Sequence, residues 1–290
     1  MKHLIKTADS SSLAAVNYNR VILNTTTDNV FIDYSYVDLG LPSGLKWAKC
    51  NIGAEKETDY GDYFQWGETT PDTDYSWATY KYCHSSETTM TKYCTDSSYG
   101  TVDDKTTLEP EDDAAIQIMG GNWRMPTASE YQTLYNETLW VWCPGGNVGI
   151  KKTEESGNES IEYIAYPTGY FVFKTDSDKK QRGTFTKDEN NNLIGYRATS
   201  GTVYYPGAHK VTEGGVTSIA DGDTHIFFPA SGFANGTGVN NRGSYGYYWS
   251  SSLHPSNSNY GLDLYFDSGL IYPQLGNYRY NGFCVRGVFE

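Results

Sequence analysis

Four short segments near the end of the chain decide the fold. They are HIFFPASGF at 225–233, YGYYWSSSL at 245–253, GLDLYF at 261–266 and NGFCVRGV at 281–288. Each segment is rich in aromatic or β-branched residues and is bounded by Gly, Ser, Asn or Pro, a pattern typical of short strands. This part of the chain therefore predicts a meander of antiparallel strands.

The third segment indicates which side chains such a strand would bury. Successive side chains of a strand face opposite sides of its sheet. We expect one set to face the core, namely Leu262, Leu264 and Phe266. We expect the other set to face outward, namely Asp263, Tyr265 and Asp267. An apolar face would thus anchor the strand, while a polar and aromatic face would be presented to solvent.

Two helices are predicted before these strands. Residues 110–119, PEDDAAIQIM, begin with Pro and three acidic residues, which favour a helix N-terminus, and two glycines follow as a stop. The second helix begins at Thr127, because Thr127 and Glu130 have the spacing of a capping box. Together with the late strands, the two helices predict an α+β fold.

Two further regions accompany this core. Residues 1–35 alternate apolar and polar side chains around an Asn/Thr-rich turn, which predicts one or two strands or an extended arm. Residues 36–290 are expected to form the domain. Within it, residues 146–222 have the pattern of hairpins, with DENNN at 188–192 as a tight polar turn. We expect this stretch to be an insertion that decorates the domain.

The charge balance narrows the classes of function. The chain has 290 residues, with 22 Lys and Arg against 35 Asp and Glu, and its formal net charge is −13. Such an acidic chain does not bind a phosphate backbone through counterion release, so we expect no nucleic-acid partner.

No apolar stretch reaches the roughly 18 residues that a spanning helix needs, so we expect no membrane insertion. The first 20 residues lack an apolar core followed by a cleavage site, so we expect no signal peptide in this sequence.

Cysteine usage favours free thiols over a disulfide framework, which remains the alternative. No two cysteines form a C-x-x-C pair, and their number is odd. They are Cys50, Cys83, Cys94, Cys143 and Cys284.

Sequence motifs for catalysis and metal binding are not found. The chain has no H-E-x-x-H, no G-x-S-x-G and no P-loop pattern. The acidic loop at 188–192 offers oxygens at the first, third and fifth positions of a calcium loop, but Leu193 stands at the sixth, where an EF-hand requires Gly. We therefore expect a protein that is not an enzyme and has no metal or cofactor, with a structural calcium ion as the alternative left open.

The composition of the last 50 residues points to ligand binding. Residues 241–290 contain 8 Tyr, 7 Ser, 7 Gly and 5 Asn, and they contain no Lys. These four residue types dominate antibody paratopes, because Tyr gives a large amphipathic contact area at low entropic cost and the others give adaptable hydrogen bonds. An ordinary half-solvated sheet is the alternative interpretation.

Seven ordered blocks carry a resemblance to a known family. They are VDLGLPSGLKWAKCNIGA, DYGDYFQWGETTP, DYSWATYKYC, GGNWRMPTASEYQTL, IFFPASGF, GYYWSSSL and NGFCVRGV. In this order they resemble the Fibrobacter succinogenes major paralogous domain, which is common in Bacteroidetes and their phages. The match runs from Tyr36 to Val288, interrupted by the insertion. The resemblance implies a C-type lectin-like fold, in the group that includes the formylglycine-generating enzyme.

The resemblance divides into three branches of function. A formylglycine generator requires a pair of redox cysteines near its C-terminus, and only Cys284 lies there. A calcium-dependent lectin requires E-P-N or Q-P-D with a later W-N-D, whereas this chain has Glu109-Pro110-Glu111 and no W-N-D. The third branch contains the variable proteins of diversity-generating retroelements, whose C-terminal region is rewritten by adenine-directed mutagenesis. The last 50 residues resemble this branch most.

In that branch, residues 240–282 would be the variable ligand-binding region. The resemblance implies a fixed scaffold at 249–253, at 279–282 and at the three apolar positions 262, 264 and 266. The residues that it implies to be variable and ligand-binding are Tyr245, Tyr247, His254, Ser256, Asn257, Ser258, Tyr260, Asp263, Tyr265, Asp267, Ser268, Tyr272, Gln274, Asn277 and Tyr278.

These observations predict a non-catalytic receptor-binding protein with a diversified surface. Its partner would be a cell-surface protein or glycan of a host or neighbouring cell, and residues 1–35 would attach it or form a homo-oligomer such as a trimer. We favour a tail-associated protein of a phage virion, with an extracellular surface as the alternative location. The alternative function is a non-diversified surface adhesin or glycan-binding domain of the same family. An enzyme of the formylglycine-generator type is the third hypothesis.

Overall fold

The structure is a computed structural model that describes residues 19–25, 28–153, 157–174, 181–198, 203–204, 210–211, 219–220 and 224–290. Two α-helices lie in these ranges, α1 (Ala114–Met119) and α2 (Ala128–Glu137). The strands are β1 (Asn19–Thr25), β2 (Asp28–Tyr34), β3 (Tyr36–Val37), β4 (Lys46–Ala48), β5 (Trp123–Arg124), β6 (Leu139–Thr153), β7 (Glu159–Phe173), β8 (Gln181–Lys187), β9 (Leu193–Ala198), β10 (Val203–Tyr204), β11 (Lys210–Val211), β12 (Ile219–Ala220), β13 (His225–Pro229), β14 (Phe233–Asn235), β15 (Gly238–Asn240), β16 (Gly246–Leu253), β17 (Tyr260–Phe266), β18 (Ile271–Tyr278) and β19 (Val288–Phe289). The fold is therefore mixed α+β, as predicted, and consists mostly of strands.

Across the described ranges the strands form five sheets. The largest has the order β11-β10-β9-β8-β6-β7-β13, with β12 beside β6. A second sheet, β3-β4-β19-β5, brings the beginning of the domain next to residues 288–289. The late meander is the antiparallel sheet β16-β17-β18, and the pairs β14-β15 and β1-β2 complete the set.

Three of the predicted late strands are confirmed as β13, β16 and β17, although β13 pairs with β7 and the third strand of the meander, β18, was not predicted. The predicted strand at 281–288 is wrong. Gly282, Phe283 and Cys284 each bridge a different segment, so no continuous ladder forms, and only Val288 belongs to a strand, β19.

The first predicted helix is wrong as a single element. Residues Pro110–Asp112 form a 3-10 turn, and α1 begins only after Asp113, whose backbone is extended (φ −89°, ψ 111°). Asp113 Oδ1 accepts hydrogen bonds from the backbone N–H groups of Ala115 and Ile116 at 2.8 and 3.0 Å. An aspartate that caps in this way competes with a continuous helix, so the acidic run divides the segment in two. The predicted stop is confirmed, because Gly120 ends α1 with φ 68°.

The second helix begins as predicted. The Thr127 side chain accepts from the Glu130 backbone N–H at 3.3 Å, and the Thr127 N–H donates to Glu130 Oε2 at 2.8 Å. This reciprocal capping box satisfies two backbone donors that a helix N-terminus would otherwise leave unpaired. It fixes the start of α2, the helix that packs against β16, β17 and β18.

The predicted insertion shares long strands with the rest of the domain. β6 begins at Leu139, before the predicted start at 146, and pairs with β7 along its whole length. β7 in turn pairs with β13. The polar turn at 188–192 is confirmed, since Asp188 Oδ1 accepts from the backbone N–H groups of Asn190 and Asn192 at 2.9 and 2.8 Å. These bonds close the β8–β9 hairpin.

The predicted N-terminal strands are confirmed as an antiparallel pair, β1 with β2. Residues 1–18 of the predicted arm lie outside the described residues.

Neither α-helix in the described part of the chain has the length and apolar character that a membrane crossing requires. All five cysteines are free thiols, and Cys94, Cys143 and Cys284 are buried, as the cysteine pattern predicted.

Buried side chains cover both faces of the late sheet. Tyr248, Leu264 and Phe266 belong to one apolar cluster, which also contains Trp140 and Phe228. On the other face, Trp249 joins a second cluster and stacks on Phe283 with ring centroids 4.1 Å apart. The sheet is therefore enclosed along most of its length, and only its ends and edges reach solvent.

Candidate ligand-binding surface

Four tyrosines form a contiguous group at one end of the late sheet. The strand register pairs Tyr247 with Tyr265, and Tyr265 with Tyr272. Their ring centroids are 5.0 Å apart for the first pair and 6.1 Å for the second. Tyr245, just before β16, lies 5.8 Å from the Tyr265 ring. We call Tyr245, Tyr247, Tyr265 and Tyr272 the tyrosine row, and all four were predicted from the sequence.

One end of the tyrosine row is packed against the core, and the other end is exposed to solvent. The Tyr247 ring packs on Phe233 and Phe283, with centroids 5.2 and 4.8 Å away. Tyr272 at the outer end is 47% exposed. Burial raises the pKa of Tyr247 to about 12, and burial together with the nearby Asp267 raises the pKa of Tyr265 as well. Both phenols are therefore neutral at pH 7 and can donate as well as accept hydrogen bonds.

A shallow depression of about 500 Å³ adjoins the row. It lies between the segment 243–245, the β17–β18 turn at 267–270 and one side chain of β6. Its lining residues are Trp142, Gly243, Ser244, Tyr245, Asp267, Ser268, Gly269 and Leu270. Three of them, Tyr245, Asp267 and Ser268, belong to the predicted set. The volume falls in the range of small-molecule sites, although the depression is open to solvent.

Tyr170 holds the two sides of this depression together. Its ring contacts Trp142 with centroids 5.0 Å apart, and its hydroxyl donates to the Asp267 carbonyl at 3.1 Å. The Asp267 carboxylate is fixed as well: Oδ1 accepts from the N–H groups of Gly269 and Leu270 at 2.7 and 2.8 Å. Its Oδ2 accepts from the Tyr265 hydroxyl at 3.2 Å. The carboxylate is thus preorganised at the edge of the depression.

A second aromatic group lies at the other end of β17. Tyr260 is in contact with His254 and Tyr278, at centroid distances of 5.9 and 4.8 Å. Trp77 and Tyr280 extend the group beyond Tyr278. Strand alternation places Tyr260 on the opposite face from Tyr265. The predicted ligand-binding residues are therefore divided between two separate surfaces. Burial lowers the pKa of His254, so its imidazole is neutral at pH 7.

Two predicted site residues are inaccessible, and the expected outward direction of Asp263 is wrong. Asp263 and Ser258 are both fully buried. The face of β17 that carries Asp263 is covered, because Trp66 packs on Gly261 and Trp249 lies opposite Asp263. The Ser258 hydroxyl accepts from the Thr95 N–H at 2.9 Å. The alternation of side chains along a strand assigns each residue to one face of the sheet. It does not reveal that a residue distant in sequence, here Trp66, packs on the polar face of β17.

The remaining predicted residues occupy the edges. Asn277 is half-buried and donates to Asp263 Oδ1 at 2.9 Å, while the exposed Gln274 donates to the Ala128 carbonyl at 3.3 Å. Ser256 is exposed and Asn257 is half-buried, both in the turn between β16 and β17. These four side chains do not join the tyrosine row.

Arg279 fixes the turn that carries Ser256 and Asn257. Its buried guanidinium donates to the carbonyl of Ser258 at 2.7 Å and to the carbonyl of Tyr93 at 3.0 Å. It also donates to the hydroxyl of Tyr80 at 2.7 Å. A planar guanidinium can satisfy several acceptors in fixed directions, so this residue connects the turn to the loop segments that contain Tyr80 and Tyr93.

Sequence reasoning missed part of both surfaces. Trp142 and Leu270 line the depression, and Trp77 and Tyr280 complete the second aromatic group. The spacing of Trp140 and Trp142 in LWVWC was a usable signal, because it places both rings on one face of β6. Trp140 is fully buried on that face, whereas Trp142 is only half-buried and reaches the depression. Trp77 has no such local signal, since a folded loop brings it to Tyr278.

An acidic group outside these surfaces is neutralised by protein cations. Carboxylate oxygens of Glu109, Glu111 and Asp112 lie within 4.8 Å of one another. Lys92 Nζ lies 2.6 Å from Glu109 and 2.5 Å from Asp112. Burial raises the pKa of Asp112, but hydrogen bonds from Lys92, Tyr82 and Tyr93 outweigh it and lower the pKa to about 2. The group is an ion-pair network.

Comparison with known proteins gives one partial match. A family model described as a domain of unknown function, DUF8237, matches residues 216–288. The match includes β16, β17 and β18, so it contains the tyrosine row. No curated protein and no solved structure matches the chain.

Proposed function

We propose that this protein is a non-catalytic ligand-binding protein that recognises a cell-surface molecule through the tyrosine row and the adjoining depression. The observation that carries the proposal is the row itself, four neighbouring tyrosines across three strands with an exposed outer end. Tyrosines supply contact area with few rotatable bonds, and they are enriched at the energetic centres of interfaces. No cofactor or nucleic-acid partner is part of this proposal.

We further propose a C-type lectin-like scaffold of the diversity-generating retroelement type. Two early helices and a late three-stranded sheet are consistent with that scaffold. Burial divides the segment as the resemblance implies at most positions. Trp249 and Arg279, implied to be fixed, are buried, whereas the row is partly exposed. At Ser258 and Asp263 diversification would change stability rather than contact.

The proposed setting is a phage virion, tail-associated, or an extracellular surface. The N-terminal arm would attach the protein or join copies into a homo-oligomer such as a trimer. The β1–β2 pair supports this role, because an isolated two-stranded sheet is marginally stable in water and gains stability by pairing with a partner. Multiple copies would convert a modest single-site affinity into avid binding.

The alternative function is a fixed adhesin or glycan-binding domain. The flat rings of Trp142 and Tyr245 beside the depression favour it, because aromatic faces stack on sugars. Sequencing the 3′ end of the gene across independent isolates separates the two. Changes confined to adenine positions within residues 240–282 support diversification, and an invariant region supports the fixed adhesin.

Binding of fluorescent protein to a panel of bacterial cells tests the proposed surface. Tyr272→Ala should lower cell binding at least about tenfold, as expected for an interface hot spot. Tyr163→Ala is the matched control, because Tyr163 is 44% exposed on β7, away from the row. Equal effects of the two substitutions, or binding that neither changes, would contradict this location of the site.

A further inference from the structure

The depression combines a fixed carboxylate with aromatic rings. Asp267 contributes the charge, and Trp142 and Tyr245 contribute the rings. The lining contains no Lys, Arg or His among the residues described. An anionic ligand would therefore meet a negative charge without a compensating cation. The depression is suited to a ligand that is positively charged.

Asp267 is one of several carboxylates held by neutral donors, as Asp113 and Asp188 are, but it lines the depression and they do not. Other carboxylates of the chain are paired with cations. Asp112 is paired with Lys92, and Glu130 is paired with Arg124 at 2.6 Å. Within the described part of the chain, the bonds to the Asp267 carboxylate come from two backbone N–H groups and the Tyr265 hydroxyl, and no ion pair reaches it. These neutral donors fix the position of the carboxylate and leave its charge uncompensated. A cationic ligand in the depression would compensate that charge.

The rings are of the kind that bind cations. A guanidinium or ammonium over an aromatic face is attracted by the ring quadrupole. This chain uses the same contact internally, since the Arg279 guanidinium lies 4.9 Å from the Trp66 ring and that of Arg242 lies 4.8 Å from the Tyr60 ring. The net charge of −13 adds a long-range attraction for basic partners.

We propose that the depression is a subsite for an organic cation, the guanidinium or ammonium group of a basic side chain on a protein partner. The cation would pair with Asp267 and lie against Trp142 and Tyr245. The inference rests on the proposed ligand-binding function and assigns its partner to the proteins instead of the glycans. It makes the β17–β18 turn the electrostatic part of the surface and the tyrosine row its apolar part.

The test is a titration followed by ¹H–¹⁵N TROSY spectra of the full chain. The probes are N-acetyl-L-arginine amide as the cation, methyl α-D-glucopyranoside as a neutral sugar and N-acetyl-L-aspartate amide as the anion. We expect arginine amide to shift the signals of residues 243–245 and 267–270 at millimolar concentration, and we expect added salt to weaken the effect. Shifts at these residues with the sugar and none with arginine amide would overturn the proposal.

Two substitutions refine the test. Asp267→Asn keeps an oxygen that can accept the two turn bonds but removes the charge, so the affinity for arginine amide should fall about fivefold or more. Asp188→Asn is the matched control, because Asp188 closes the β8–β9 turn through the same kind of bonds. Equal losses in the two variants, or no loss in Asp267→Asn, would overturn the assignment.

The cell-binding experiment separates this inference from the function on which it rests. If Tyr272→Ala abolishes cell binding but Asp267→Asn and arginine amide have no effect, the ligand-binding function stands and the cation subsite is wrong. If wild-type protein binds no cell of the panel while arginine amide still shifts residues 267–270, the subsite stands and the proposed cell-surface function fails.

Discussion

Asn277 donates a hydrogen bond to Asp263 Oδ1 at 2.9 Å, and within the described residues the other carboxylate oxygen of Asp263 has no partner. The two residues belong to neighbouring strands, and Asp263 is fully buried. A carboxyl group in this position is stable mainly when it is protonated, because a single amide donor does not compensate for the loss of water. Asp263 is thus a source of pH-dependent instability inside the late sheet.

Asp263 should make the protein less stable as the pH rises. Burial raises the pKa of Asp263 well above its ordinary value, while the Asn277 hydrogen bond lowers it only in part. Between the unfolded pKa, about 3.9, and the higher folded pKa, the folded state binds more protons than the unfolded state. The free energy of unfolding therefore decreases with pH across this window. Asp263→Asn should remove this component, so the variant gains stability relative to wild type from pH 4 upward.

Urea unfolding of both proteins between pH 4 and pH 8 measures this difference. The comparison variant is Asp188→Asn, because hydrogen bonds from the side chain and backbone of Asn192 and from the backbone of Asn190 lower the pKa of Asp188 in spite of desolvation. Its contribution has the opposite sign: it is present above the unfolded pKa and is lost as the pH falls. A stability difference between Asp263→Asn and wild type that does not change with pH would contradict the prediction.

Arg279→Lys should destabilise the protein by at least about 2 kcal/mol, because lysine cannot satisfy the carbonyls of Tyr93 and Ser258 in the same directions. Chemical unfolding at pH 7 measures the loss. Arg242→Lys is the control, since Arg242 is exposed and donates to the Tyr63 hydroxyl at 2.9 Å. We expect the control to cost less than about 1 kcal/mol. Similar losses would show that the buried network does not depend on the guanidinium shape.

Gly261→Ala should disturb the packing of the Trp66 ring against strand β17. A Cβ at Gly261 would lie 2.6 Å from Trp66 Cδ1, closer than packed atoms allow, so we expect a loss of about 1–3 kcal/mol in the free energy of unfolding. Gly269→Ala is the matched control in the β17–β18 turn, where the nearest atom would be 3.6 Å away. Thermal unfolding of the two variants gives the comparison. A wild-type melting temperature for Gly261→Ala would show that Trp66 moves freely.

Two tyrosines of the late sheet should differ sharply in their effect on stability. Tyr248 is fully buried and its hydroxyl donates to the Pro229 carbonyl at 2.6 Å, so Tyr248→Ala should cost about 3–5 kcal/mol. Tyr272→Ala should cost at most about 1 kcal/mol, because it loses one cross-strand ring contact at an exposed edge. Urea unfolding at constant pH measures both. A large loss for Tyr272→Ala would assign the tyrosine row to the core.

The local elements of the fold were predictable because their signals lie within a few residues. The Thr127–Glu130 capping box and the turn begun by Asp188 both depend on side chains that bond to nearby backbone groups. The same short range explains the error at residues 110–119. Acidic residues favour a helix N-terminus in general, but only the bonds of Asp113 to both α1 and Met125 determine which acid begins the helix.

The candidate site was predictable only in part. The tyrosine row was found because its members are aromatic and share one short stretch of chain, and strand pairing then brings Tyr247, Tyr265 and Tyr272 together. Trp142 was missed because it lies on β6, far from that stretch in sequence. It reaches the depression through Tyr170, which contacts both Trp142 and the Asp267 carbonyl.

The sequence by itself determined strands β13, β16 and β17, the capped second helix, the acidic balance and the residue types offered for binding. Periodicity, caps and composition are properties of neighbouring residues, so they can be recognised without coordinates. The tertiary structure alone decided that Asp263 is buried, that His254 and Tyr260 lie apart from the tyrosine row, and that Trp142 joins the depression. Each of these depends on which distant segment covers a sheet face, and that is determined by the packing of the whole chain.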